Sequence, residues 1–259
     1  MPELPEVETV VRTVAPHLTG RRILSAEFTS RLVTPGNRTA LAARLAGRRI
    51  ETVRRRGKFI LVTLDQGVFS IHLGMTGKLL ISGQRAEHTH AIFTLDDGLL
   101  LYNDPRQFGK IEWNPRRVDR LGPEPLEIPL EDFRARLRRK ARIKPLLLNQ
   151  SFLAGLGNIY ADESLFAAGI HPLASAAKLS APRAAKLHQA IREILTAAIE
   201  AGGSSISDYV DAEGRRGWFQ VSHRVYGREG EPCVNCATSI RRIVVAQRSS
   251  HFCPKCQKR

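Results

Sequence analysis

The sequence has no apolar run long enough to cross a membrane. A membrane-spanning helix needs about 20 consecutive apolar residues, and no stretch of the 259 residues comes near that length. The first residues are acidic, whereas an export signal begins with basic residues and continues with an apolar core. We therefore expect a cytoplasmic protein that has no membrane partner.

Acidic residues are also scarce in comparison with basic ones. The chain has 40 Lys and Arg but only 25 Asp and Glu, so its formal net charge is +15. Such a charge favours a polyanionic partner, because each phosphate contact releases condensed counterions. Basic residues form several clusters, at 54–58, 116–120, 134–144, 215–216 and 241–242. Separate clusters predict a nucleic-acid groove built from several parts of the chain, with a merely solvated basic surface as the alternative.

Cysteine is absent until the last part of the chain, where four residues form two C-x2-C pairs: Cys233 with Cys236, and Cys253 with Cys256. Two such pairs can bind one tetrahedral zinc ion and leave no coordination position open, which indicates a structural metal. Disulfides are the alternative, which a cytosolic location disfavours. Residues 243–245 favour a strand between the pairs, so we predict a zinc-bound β-hairpin.

The N-terminal half predicts one helix followed by strands. Val7, Val10, Val11 and Val14 fall on one face of a helix over residues 6–17. Strand-like segments follow at 21–28, 48–55, 59–64, 68–73 and 91–95, with a hairpin turn at Asp97–Gly98. We expect residues 1–115 to form an antiparallel β-sandwich, with a barrel as the alternative, on which the first helix packs.

The second half changes to a helical pattern. A segment rich in proline and polar residues, 116–131, is typical of a linker. We predict a helical domain over 132–222, with a first helix that stops near Pro145, a helix–turn–helix around "AGLGNIY", and a helix capped by Ser180 and ended by Gly202. The zinc finger is predicted at 223–259.

Several segments, taken in order along the chain, resemble the bacterial formamidopyrimidine-DNA glycosylases. They are "PELPEVET", "HLGMTGKL", "NDPRQFG", "LGPEPL", "IKPLLL", "GLGNIYADESLFAAGIHP", "VYGREGEPC" and "AQRSSHFC". The resemblance implies a multidomain α+β fold with a helix-two-turns-helix domain and a zinc-ribbon hairpin. It also implies a base-excision-repair enzyme that removes oxidised purines from double-stranded DNA and nicks the abasic site.

The same resemblance implies that the catalytic amine is that of Pro2, exposed once Met1 is removed. An α-amine has a pKa near ~8 against ~10.4 for lysine, so more of it is unprotonated at neutral pH. Glu3 would act as the general acid that opens the deoxyribose ring. On the residues alone, Glu3 is equally a carboxylate that stabilises the start of the helix.

Other residues match positions of the family that bind DNA. Lys58 and Arg248 would contact phosphates and assist β- and δ-elimination, respectively. Lys144 and Asn158 match phosphate contacts of the helical domain. His90 and Arg139 match further DNA contacts.

A base must leave the helical stack before it can be excised, and something must fill the gap. Phe108, Met75 and Arg106 match the family's wedge, in which Phe108 inserts between bases, Met75 fills the space and Arg106 faces the widowed base. Residues 203–218 match the lesion-recognition loop. Two departures from the family pattern are Ser204–Ser205, where threonine is common, and Gln107, where arginine is often found.

Two other functions remain open from the sequence. Endonuclease VIII, which prefers oxidised pyrimidines, shares the proline, the glutamate and the zinc finger, but it usually has glycine where this chain has Leu4 and lacks the wedge pattern. A zinc-ribbon protein that binds nucleic acid without catalysis would fit the charge and the cysteines. In each case we expect a monomer, associated with the nucleoid.

Overall fold

The computed structural model describes residues 1–81, 83–205 and 209–259, which pack into two compact units. The sheet unit comprises Met1–Arg120 and Ala201–Trp218, and the helical unit comprises Leu121–Glu200 and Phe219–Arg259. The described residues of the segment 203–218, which we predicted within the helical domain, thus pack within the sheet unit. The three predicted boundaries, at 115/116, 131/132 and 222/223, stay predictions. Among the described helices, none combines the length and the apolar character needed to cross a membrane.

The first helix, α1, spans Leu4–Leu18, with Glu3 at its N-cap. Its start is fixed by Glu6, whose Oε2 accepts a hydrogen bond of 2.7 Å from the Glu3 N–H. The predicted valine face is buried along its whole length. The helix prediction is therefore confirmed, with a start two residues before the predicted one.

The sheet unit contains two four-stranded antiparallel sheets. The first has the order β2-β3-β4-β8, with strands Ile50–Arg56, Phe59–Leu64, Val68–His72 and Lys110–Trp113. The second has the order β1-β6-β7-β5, with strands Ile23–Phe28, Thr89–Leu95, Leu99–Asn103 and Lys78–Leu80. The strand segments predicted from the sequence and the hairpin at Asp97–Gly98 are all present.

One apolar core joins α1 to both sheets. Phe69 of β4 and Phe93 of β6 stack across it with ring centroids 5.6 Å apart, and the valines of α1 belong to the same cluster. Strands β5 and β8 and the short helix α2, Arg38–Leu45, were not predicted from the sequence. Only Leu41 and Leu45 of α2 are buried, so its apolar pattern is too short to be recognised.

The helical unit contains α3, α4, α5 and α6, which span Leu130–Leu137, Ile143–Leu148, Asn158–Ala168 and Ala181–Glu200. The prediction of one helix from 132 to about 144 is wrong, because α3 ends at Leu137. Four cations within residues 138–142 follow that end, and like charges oppose a further helical turn. Pro145 lies in the first turn of α4, where its missing N–H is not needed.

The zinc-finger segment contains the predicted hairpin. Strands β9, Arg241–Val245, and β10, Arg248–Phe252, pair in antiparallel fashion. They are joined by Ala246 and Gln247, whose φ angles are +47° and +60°. Two consecutive positive φ angles give the tight reversal that matches the twist of a two-residue hairpin. This turn brings Arg248 to the beginning of β10.

Candidate active site and nucleic-acid interface

The first three residues are held at the edge of the sheet-unit core. Met1 is exposed, whereas Pro2 and Glu3 are buried. The chain turns directly from Pro2 into the N-cap of α1, so the anchored helix fixes the position of both residues. In the family resemblance these are the nucleophile and the general acid.

Glu6 ties this N-terminus to the loop that begins at Gly203. Besides the Glu3 N–H, its carboxylate accepts a 2.8 Å hydrogen bond from the Ser204 N–H through Oε1. A Cβ on Gly203, where φ is +83°, would lie 2.9 Å from the same Oε1. The Tyr209 hydroxyl donates to the Glu6 carbonyl at 3.1 Å. These contacts join residues about 200 positions apart, so they were not predicted from the sequence.

The loop itself is closed by its own hydrogen bonds. Ser205 Oγ donates to the Tyr209 carbonyl at 2.9 Å and accepts from the Gly217 N–H at 2.9 Å. Ser205, which departs from the threonine common in the family, therefore links the two ends of the loop through its hydroxyl. Residues 206–208 of the predicted recognition loop lie outside the described residues.

Lys58 lies in the turn between β2 and β3 and is largely buried. It lies close enough to His72 to affect that residue's pKa. Burial, followed by the charges of Lys58, Arg117 and Lys110, lowers the pKa of His72 from 6.5 to about 4. His72 is therefore neutral at pH 7, and its Nδ1 accepts a 3.1 Å hydrogen bond from the Gly74 N–H.

His72 was not selected from the sequence, although it lies inside a quoted motif. Its ring also packs on Phe59 at a centroid distance of 4.8 Å. The residue thus connects the Lys58 turn to the loop that carries Met75. A histidine within an apolar strand gives no sign of this role until the strand pairing is known.

The structure brings the three predicted wedge residues together. Met75 and Phe108 are exposed, at 40% and 52%, and the Arg106 guanidinium lies over the Phe108 ring, 4.7 Å from its centroid. The two loops touch at Gly74, where a Cβ would lie 2.5 Å from the Gly109 nitrogen. An exposed methionine, phenylalanine and arginine on adjacent loops form a surface suited to stacking against bases.

Asp104, a residue that the sequence analysis did not select, holds both wedge loops. It is fully buried and accepts hydrogen bonds from Thr76 Oγ1 at 2.6 Å, the Gly109 N–H at 2.8 Å and the Tyr102 hydroxyl at 3.3 Å. One carboxylate therefore sets the spacing between the Met75 loop and the Phe108 loop.

Gln107, a departure from the family pattern, is engaged inside the sheet unit. Its Oε1 accepts a 2.6 Å hydrogen bond from Ser30 Oγ, and its φ is +53°. This bond gives the Gln107 side chain a structural role within the protein.

His90 and Arg139 were predicted to contact DNA from different parts of the chain. His90 lies on β6, and within the described residues its buried Nε2 has no hydrogen-bond partner. Arg139 is exposed in the connection between α3 and α4. These positions leave both contacts as predictions.

Asn158 begins α5, with Gly157 at the N-cap, in the second part of the predicted helix–turn–helix. The preceding turn is organised by Gln150, which accepts from the Gly155 N–H at 2.9 Å and donates to the Leu156 carbonyl at 2.8 Å. Over the described part of the chain, the buried Oδ1 of Asn158 makes no hydrogen bond.

Lys144, predicted to contact phosphate, is fully buried. Its Nζ lies 2.6 Å from Asp162 Oδ1 and donates to the Ser249 carbonyl at 2.7 Å. The phosphate contact stays a prediction, because it requires Lys144 to leave these partners.

The four cysteines form one cluster with the dimensions of a zinc site. All four are free thiols, and their sulfur atoms lie within 4.8 Å of one another. The Sγ atom of Cys236 lies 3.5 Å from that of Cys253 and 3.4 Å from that of Cys256, and the Sγ atoms of Cys233 and Cys256 are 3.9 Å apart. A tetrahedron with Zn–S bonds of about 2.3 Å has sulfur–sulfur edges near ~3.8 Å. The cluster therefore fits one structural zinc ion held by four thiolates.

Three family profiles match consecutive parts of the chain. The formamidopyrimidine-DNA glycosylase N-terminal domain matches residues 1–111, the H2TH domain of the same enzymes matches 121–210, and the zinc finger found in FPG and IleRS matches 230–259. The chain belongs to the formamidopyrimidine-DNA glycosylase family. Membership confirms the resemblance, the α+β fold class, the zinc finger and the predicted class of DNA glycosylase and AP lyase.

Curated and solved relatives of this glycosylase match it over nearly its whole length. The formamidopyrimidine-DNA glycosylase of Solibacter usitatus is 63% identical over 265 aligned positions, with 100% of both chains covered. The MutM (Fpg) protein of Thermus thermophilus has a TM-score of 0.90 at 42% identity, over 99% of this chain and 98% of that one. Lactococcus lactis Fpg, solved in complex with DNA that contains an abasic site, has a TM-score of 0.89 at 38% identity, over 99% and 100%.

Proposed function

We propose that this glycosylase excises oxidised purines from duplex DNA and cleaves the resulting abasic site, with the amine of Pro2 as its nucleophile. The observation that carries the proposal is the anchoring of the N-terminus. Pro2 and Glu3 are buried beside a helix start that is bound by Glu6 and fixed in the core by the valine face of α1. Holding a nucleophile in one position is a large part of rate acceleration.

The chemistry follows from a secondary amine. After Met1 is removed, the Pro2 nitrogen attacks C1′ of the sugar, the base leaves with the electron pair of the glycosidic bond, and the proton of the amine passes to the departing base. Glu3 protonates the ring oxygen, so the sugar opens and an iminium joins Pro2 to C1′. Because this nitrogen carries no proton, the iminium stays positive and acts as an electron sink.

Two eliminations follow from that intermediate. Loss of the C2′ proton expels the 3′ phosphate, and a second elimination releases the 5′ phosphate. We assign Lys58 to the first step and Arg248 to the second, as phosphate-binding cations. Zinc, when bound by the four cysteines, orders the hairpin that presents Arg248.

The wedge residues supply access to the base. Phe108 inserts between bases, Met75 fills the vacated space, and Arg106 donates to the acceptors of the widowed cytosine. Their shared exposed surface supports this assignment. Asn158, His90 and Arg139 add DNA contacts to the predicted groove. We expect a monomer in the cytoplasm, associated with the nucleoid.

Borohydride trapping tests the proposal. A duplex with 8-oxoguanine opposite cytosine is incubated with the purified protein and borohydride, in parallel with a duplex that contains an oxidised pyrimidine. We expect a covalent adduct that forms preferentially with the purine and is lost in Pro2→Gly. Preferential trapping of the pyrimidine would assign the endonuclease VIII activity instead, and absence of any adduct would leave only DNA binding.

A further inference from the structure

A cluster of buried ionisable groups in the helical unit has no part in the mechanism above. Lys144 of α4 and Asp162 of α5 are 0% and 1% exposed, and His251 of β10 is 7% exposed. Asp162 accepts a 2.9 Å hydrogen bond from the His251 N–H and lies 3.3 Å from its Nδ1. Together with the ion pair between Lys144 and Asp162 and the hydrogen bond from Lys144 to the Ser249 carbonyl, this network joins α4 and α5 to β10.

Stability alone gives little reason for such a network. Desolvation of two buried charges offsets most of their attraction, and apolar residues of similar volume often serve as well or better. Unlike apolar packing, a buried ion pair with its hydrogen bonds holds particular atoms in defined positions. Here the fixed atoms are the Ser249 carbonyl and the His251 amide, both on the backbone of β10.

Glu163, the residue after Asp162 on α5, binds the segment that leads into the zinc finger. Glu163 accepts hydrogen bonds from the N–H groups of Arg224, Val225 and Tyr226, at 3.0, 3.0 and 2.8 Å. The Tyr226 ring packs edge-on against His251 at 5.1 Å. Two consecutive carboxylates of α5 therefore bind the zinc-finger segment at two places: Glu163 binds residues 224–226, and Asp162 binds strand β10.

Arg248 immediately precedes Ser249 and is exposed at the end of the hairpin. A long side chain at a hairpin turn has a fixed direction only if the strand beneath it is fixed. Lys144 attaches β10 to α4 by its hydrogen bond to the Ser249 carbonyl, one residue from Arg248.

We propose that Lys144 and Asp162 are positioning residues that hold the strand bearing Arg248, and that they thereby determine how completely the reaction continues from β- to δ-elimination. The inference rests on the role of Arg248 in the proposed function. It gives Lys144 an indirect role in place of the phosphate contact predicted from the sequence.

The test uses the full-length, zinc-loaded enzyme and the double variant Lys144→Met with Asp162→Asn. Removing both charges together avoids an unpaired buried ion, and the amide that replaces the carboxylate still offers an oxygen to the His251 N–H. Products from a duplex with an abasic site are separated by length and end group. We expect the ratio of δ- to β-elimination products to fall about tenfold, while borohydride trapping on Pro2 is unchanged.

Two further variants give the experiment its controls. Arg183→Met removes hydrogen bonds from α6 to the carbonyls of Lys258 and Arg259, so it loosens the same zinc finger away from Arg248 and should leave the ratio unchanged. Arg248→Ala should lower the ratio at least as much as the double variant. If Arg248→Ala has no effect, the role assigned to Arg248 fails and the inference fails with it.

If Arg248→Ala lowers the ratio and the double variant does not, the inference alone is overturned. An equal loss of trapping and δ-elimination also overturns it, since that indicates general damage. Should the double variant lose zinc, Lys144→Met with Asp162→Leu replaces it, with the same expectation. Loss of zinc in both double variants would show that Lys144 and Asp162 are needed for the zinc finger to fold and not specifically to orient Arg248, which also contradicts the proposal.

Discussion

Asp104→Ala should uncouple excision of the base from cleavage of an abasic site. The carboxylate of Asp104 accepts hydrogen bonds from Thr76, Gly109 and Tyr102 in the interior of the sheet unit. Removing it leaves the Thr76 hydroxyl and the Gly109 N–H without their acceptor, whereas the Tyr102 hydroxyl keeps the Leu73 carbonyl at 3.5 Å. Each buried unsatisfied group costs about 1–3 kcal/mol. Since water can enter the space left by the carboxylate, we expect the free energy of unfolding to fall by about 3–5 kcal/mol.

Removal of the Asp104 carboxylate should disturb the position of the wedge residues more than that of Pro2. The Thr76 and Gly109 bonds attach the Met75 loop and the Phe108 loop to one carboxylate, so both loops lose their spacing. Extruding a paired base requires the wedge, whereas an abasic nucleotide has no base to unstack. We therefore expect excision of 8-oxoguanine to fall by about two orders of magnitude, and cleavage of a preformed abasic site to fall far less.

The assay compares single-turnover rates on the two duplexes, together with denaturant unfolding. Asp97→Ala is the matched control, because Asp97 lies at an exposed turn and its ion pair with Arg21 is at the surface. Such surface pairs contribute about 0–1 kcal/mol. Equal losses on both substrates, or an unfolding free energy close to that of the control, would refute the reasoning.

Three further predictions concern other parts of the site. Burial lowers the folded-state pKa of His72 to about 4, so its contribution of about 3 kcal/mol to the free energy of unfolding should be complete above pH 6.5 and disappear as the pH falls to about 4. In His72→Gln the free energy of unfolding should therefore depend less on pH between 6.5 and 4, and an unchanged pH dependence would contradict the assignment. Gly203→Ala should destabilise the protein by about 2–4 kcal/mol and slow excision, because its Cβ would meet Glu6 Oε1; thermal unfolding at the wild-type temperature would count against this. Chelation of zinc should weaken DNA binding in a fluorescence anisotropy titration, and unchanged affinity after confirmed metal loss would refute the role of the hairpin.

Features with a local sequence period were predictable. The valines of α1 recur at helical spacing, and the cysteines have the spacing of a four-thiolate zinc site. Both patterns are set by contacts near in sequence or by one metal, so they are visible before folding. The wedge and the nucleophile came from family resemblance and from no physical pattern in the chain.

Features that depend on contacts distant in sequence were not predictable. His72 and Asp104 gain their roles only when strands and loops pair, and Lys144 resembles an exposed basic residue until α5 and β10 bury it. The end of α3 at Leu137 was missed because apolar and basic residues continue in a helix-like pattern. In each case the deciding interaction joins residues that the sequence keeps apart.

The central claim is that the amine of Pro2 joins covalently to the sugar of the damaged nucleotide. Mass spectrometry of the borohydride-reduced, protease-digested adduct tests it most directly. We predict a mature chain without Met1 and a deoxyribose remnant on the N-terminal peptide, attached at the nitrogen of Pro2. A chain that keeps Met1, or a remnant attached to a lysine such as Lys58, would contradict the account.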